Sequence, residues 1–80
     1  MNRSEVESRM KNVIARVLKT DAKEIKPESN FVFDLGADSM QSVALIAAFE
    51  EEFDIELEED KAREVQSVAG AVDFIAQYLK

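Results

Sequence analysis

Residues 38–53 read DSMQSVALIAAFEEEF, and the reading of this stretch decides the fold. At about 100° per residue, Ser42, Leu45, Ile46, Phe49 and Phe53 fall on one side of a helix. Asp38 suits the N-cap, and Gln41 stands where the reciprocal side chain of a capping box belongs. The pattern predicts a helix over residues 39–53. Met40, Val43 and Ala47 make a second apolar strip beside the first, so the apolar arc is wider than one core contact requires. Such a helix is either central in a bundle or leaves part of its second strip open to a partner or ligand. Gln41, Glu51 and Glu52 take the remaining face.

Working outward, residues 4–18 repeat the helical period. Val6, Met10, Val13, Ile14, Val17 and Leu18 form one apolar stripe, and Ser4 with Glu7 resembles a capping box at its start. Downstream, Ser67 suits the cap of a last helix whose broad apolar face holds Val68, Ala71, Val72, Phe74, Ile75, Tyr78 and Leu79. KAREV, residues 61–65, suits a helix of one or two turns, after an acidic loop that carries Ile55 and Leu57. Between Lys19 and Ala37 no long period is visible, and Pro27 interrupts any helix begun before it. A connection of this length is either functional or disordered. Phe31 and Phe33 argue for order, as alternating apolar anchors that pin the loop to the core. FVFDL could be a strand, but no second strand is visible for it to pair with. Three longer helices, one short helix and a long first loop predict an all-α bundle in a single domain over residues 1–80.

Composition limits the function. A chain of 80 residues buries only about 60% of its unfolded surface, so the core must be small. No apolar run reaches the ~20 residues that span a bilayer, and MNRSEVESRM has no apolar signal core. With no cysteine there is no disulfide or thiolate ligand, and a cytoplasmic location is the expectation. The net charge of −7 is unevenly spread: residues 28–60 hold eleven acids and no Lys or Arg. Such a face repels nucleic acid and suits basic protein surfaces, although acids also simply keep a small domain in solution.

Autonomous catalysis is not expected. The chain has no histidine, the most frequent general base, and no base with an orienting partner can be assembled around Ser39. Residues 53–64, FDIELEEDKARE, lack the glycine and the alternating oxygen ligands of an EF-hand, so no specific metal site is expected. Ser39 is better read as a substrate. A helix N-terminus favours a phosphate on its hydroxyl, and Gly36 permits a sharp turn and an open approach.

DLGADSM, residues 34–40, followed by VALIAAFEEEFDIEL, resembles the acyl carrier protein family. The likeness covers nearly the whole chain, through the long loop with FVFDLG, the helix ending EEEF and the closing SVAGAVDFI. It implies a four-helix carrier domain with 4′-phosphopantetheine on Ser39, framed by Gly36, Asp38 and Met40. It also implies a phosphopantetheinyl transferase that loads the arm from coenzyme A, and acyl-synthesising and acyl-transferring enzymes as partners. The thiol missing from the chain would then be on the arm. The acidic helix after the serine is the family's usual docking surface, which here comprises Met40, Gln41, Val43, Ala44, Ala47, Glu50 and Glu51.

The chain departs from that pattern at instructive places. Carriers of primary fatty acid synthesis commonly have acids at the second and fifth positions after the serine, where this chain has Gln41 and Ala44, and Met40 replaces leucine. Lys61 and Arg63 further reduce the negative charge of the short helix. These departures suggest a specialised carrier, a monomer docking through more apolar contacts and binding neither nucleic acid nor membrane. The rival readings are a peptidyl or D-alanyl carrier, an acidic interaction module without a prosthetic group, and a small serine hydrolase. Peptidyl carriers usually show Gly-Gly and often His before the serine, whereas this chain has Gly36-Ala37-Asp38.

Overall fold

Four helices form in a computed structural model that describes residues 2–79: α1 (Arg3–Leu18), α2 (Ser39–Phe53), α3 (Glu59–Glu64) and α4 (Val68–Tyr78). Met1 and Lys80, the ends of the expected domain, lie outside the described residues. The apolar stripe of α1 is buried at Val6, Met10, Val13 and Ile14, while Val17 and Leu18 are half-buried. It packs against Leu45, Phe49 and Phe53 of α2 and Val68, Ala71, Val72 and Ile75 of α4. The short α3 buries none of its residues and touches the bundle mainly through α2. It is the least anchored of the four.

The cap of α1 differs from expectation. Asn2 is the N-cap, and its side chain accepts a hydrogen bond from Glu5 N at 2.8 Å. Asn caps as well as Ser does, and starting upstream lets Arg3 and Ser4 join the helix. Glu7 faces Lys11 on the next turn instead of reaching back. Ser67 caps α4 as expected, its Oγ accepting from Gly70 N at 3.0 Å.

The long connection is ordered and contributes to the core through Ile25, Phe31 and Ala37, with one short 3₁₀ turn at Ala22–Glu24. No strand forms in FVFDL. Asn30 makes a single antiparallel bridge to Ser67, with Phe31 N donating to Gln66 O at 2.9 Å and Val68 N to Ser29 O at 3.0 Å. Phe31 and Phe33 do not anchor the loop together. Phe31 is buried, whereas Phe33 is 86% exposed. Residues 31–35 form a helix-like turn in which Asp34 N reaches Asn30 O at 3.0 Å and Gly36 N reaches Val32 O at 3.1 Å. In such a turn, residues two apart face nearly opposite ways, so burying one ring exposes the other.

Candidate attachment site

Ser39 is the first residue of α2, and the local sequence explains its presentation. Asp38 Oδ1 accepts from Gln41 N at 2.8 Å, and Gln41 Oε1 accepts from Asp38 N at 3.2 Å, completing the expected capping box. On the approach side, Gly36 has φ +72°, in the left-handed region where a side chain is strained. A Cβ placed there would meet nothing within 4 Å, so the glycine serves the backbone turn and the space beside it is open. Ala37 is buried, and its N–H donates to Phe31 O at 2.8 Å, which pins the chain just before the cap.

The Ser39 side chain itself is exposed, and no hydrogen bond from it is formed among the described residues. It therefore plays no part in holding the fold. Beside it opens a cavity of about 580 Å³ between α2, α3 and α4. Ser39 and Phe33 both border this cavity, and Leu45, Ile46, Phe49, Ala71, Phe74 and Ile75 give it apolar walls. Polar groups from Ser42, Arg63 and Gln66 also face it. An exposed hydroxyl at an apolar cavity can accept a group and shelter an apolar chain attached to it. Without a base, it cannot activate itself.

The acids in the last turn of α2 and beyond are less available than their number suggests. Glu50 Oε2 accepts from Leu57 N at 2.9 Å, and Glu52 is paired with Arg9 at 2.7 Å. Glu58 and Glu59 pair with Lys61 and Arg63. Glu51 is exposed and has no ion-pair partner among the described residues. No three carboxylates among the described residues converge as a metal ion would require. Of the other docking candidates, Met40, Val43, Ala44 and Ala47 are exposed, whereas Gln41 is half-buried with its amide in the capping box. The second apolar strip of α2 thus lies open. The sequence reading missed Phe33 as a surface residue and Arg63 as a wall of the cavity. Asn30 ahead of FVFDLG was the available signal for a tight turn.

The phosphopantetheine attachment-site family matches residues 8–75. An acyl carrier protein from Picosynechococcus sp. is 47% identical over 73 residues, covering 91% of this chain and 90% of its own length. The chain belongs to the acyl carrier protein family. A solved chain from Mycobacterium tuberculosis, named as a candidate acyl carrier protein, superposes with a TM-score of 0.85 at 32% identity. That match covers 91% of this chain and 97% of the other. Family membership makes this a carrier domain of 4′-phosphopantetheine and not an enzyme, and the four-helix fold is the one expected from sequence, although the short helix spans Glu59–Glu64 and not residues 61–65. The exposed serine bordering the cavity suits the group. It offers a free hydroxyl, room beside Gly36 and apolar walls for what the arm would bring.

Proposed function

We propose that Ser39 carries 4′-phosphopantetheine, and that the cavity beside it shelters the acyl chain held on the arm. The observation that carries this reading is an exposed, unbonded serine hydroxyl at the edge of an apolar cavity. Ser39 Oγ forms a bond to the phosphorus next to pantetheine in coenzyme A. The pyrophosphate bond breaks, adenosine 3′,5′-bisphosphate leaves, and the serine proton goes to a base on the transferase. When bound, the arm supplies the thiol that holds an acyl group as a thioester. Gly36 keeps the approach open, Asp38 fixes the start of α2, and Leu45, Phe49 and Ile75 exclude water from an apolar cargo. Met40 lies exposed next to the attachment oxygen's own residue.

The apolar walls favour an acyl cargo over the amino acid of a peptidyl or D-alanyl carrier. Co-expression with a broad-specificity phosphopantetheinyl transferase tests the assignment by intact mass. The wild-type chain is expected to gain one arm and Ser39→Ala none. An arm retained in Ser39→Ala would refute it.

The partners we infer are the transferase and the acyl-chain synthesising and transferring enzymes of fatty acid, polyketide or related lipid biosynthesis. They would approach over Met40, Gln41, Val43, Ala44, Ala47, Glu50 and Glu51. Because Glu50 and Glu52 are held within the fold, Glu51 and the apolar strip would dominate that contact. This supports a specialised carrier in which apolar contacts outweigh charge. The double variant Gln41→Asp, Ala44→Glu should raise turnover with a housekeeping fatty acid synthase; high and equal turnover of the unmodified chain would refute the idea. We read residues 1–80 as one carrier domain working as a monomer in the cytoplasm. No described helix is long and apolar enough to cross a membrane.

A further inference from the structure

We propose that Phe33 is a docking anchor for the enzyme that loads Ser39, its ring entering an apolar recess on that enzyme's surface. The proposal rests on Ser39 being the attachment residue. Phe33 is 86% exposed, and Val32, Met40 and Val43 are exposed with it. Phe33, Val32, Val43 and Ser39 all border the same cavity, so the ring and the hydroxyl open onto one space. An enzyme forming a bond to Ser39 Oγ must bring its own reacting groups against that atom. It therefore covers the surface around it, the exposed ring included.

The loop holds Phe33 in place before any partner arrives. Asn30 Oδ1 accepts from Val32 N at 2.8 Å and from Phe33 N at 2.9 Å, while Asp34 Oδ2 accepts from Asn30 N at 2.7 Å. The turn is closed at its far end by Ala37 N donating to Phe31 O. An aromatic ring on a backbone already fixed loses little entropy on docking, and such residues often dominate binding energy. Charge narrows the partner further. Asp34 and Asp38 are exposed on the same loop and helix start as Phe33 and Ser39, and no Lys or Arg occurs between residues 28 and 60. The matching recess is apolar and bordered by cationic side chains.

The other occupant of this space would be the acyl chain itself, with Phe33 closing the cavity over it. Arm transfer to the bare chain separates the two, because no cargo is then present. The measurement is transfer from coenzyme A by a broad-specificity phosphopantetheinyl transferase, followed by mass at varied carrier concentration. Phe33→Ser should raise KM for the carrier about tenfold with kcat nearly unchanged, and Phe33→Leu should recover most of the loss. Thermal unfolding of both variants should match wild type, because the ring is largely exposed and buries little surface in the fold. An unchanged KM in Phe33→Ser overturns the anchor, and faster thioester hydrolysis in the acylated variant would then assign the ring to the cavity. A wild-type chain that accepts no arm refutes the attachment reading instead.

Discussion

Arg9 of α1 grips Glu52 of α2 at two points, Nε donating to Oε2 at 2.7 Å and Nη2 to the Glu52 carbonyl at 2.9 Å. The same guanidinium lies 5.1 Å from the centroid of the Phe53 ring. The clamp fixes the far end of α2, opposite Ser39. Exposure of the pair weakens its charge term, but the carbonyl bond and the ring contact are geometric. Arg9→Ala is expected to lower stability by about 1–2 kcal/mol, a fall in Tm on the order of 10 °C. Arg9→Lys keeps the charge and loses the planar fork, so it should recover only part of the loss.

Asp38 and Ser39 are adjacent, yet their removal should have opposite consequences. Asp38→Ala deletes the cap of α2 and should cost about 1 kcal/mol in urea unfolding. Ser39→Ala removes a hydroxyl with no partner among the described residues, so its unfolding curve should overlay that of the wild type. A marked destabilisation by Ser39→Ala would mean that the hydroxyl has a structural role.

At Gly36 the expected cost is conformational. A methyl group there meets no atom within 4 Å, so Gly36→Ala should lose about 1–2 kcal/mol from the left-handed backbone alone. Gly36→Asn should lose less, because Asn tolerates that region better. Denaturant midpoints of the two variants decide the order.

Asn30 organises the turn through its side chain. Asn30→Ala frees the Val32 and Phe33 amides, and hydrogen exchange at these two positions should accelerate well beyond any change at Ile14 or Ile75. Uniform acceleration across the chain would instead indicate global destabilisation.

The long helices were legible because their apolar periods agree with their caps. The span of α2, its capping box and the Ser67 cap match the structure, as do a turn at Gly36 and a helix start at Ser39. Less legible were contacts between distant segments. Arg9 and Glu52 are far apart in sequence and carry no local signal for each other. The exposure of Phe33 depends on turn geometry, which reverses the side that an extended alternation would give. The acids at 50–52 read as one charged run. Tertiary structure divides them by assigning Glu50 to the following loop and Glu52 to α1.

The bridge between Asn30 and Ser67 has a consequence for the life of the chain. Gln66, Ser67 and the first residues of α4 hold the loop that leads to Ser39, through bonds at Phe31, Ser29 and Pro27. A nascent chain that has not yet made α4 lacks these partners, so its serine is not presented on a settled turn. If Ser39 carries the arm as proposed, loading would be tied to completion of synthesis, and the transferase would select for a folded chain. A chain truncated before Gln66 should be a poor acceptor of the arm; acceptance at the full-length rate would break the link.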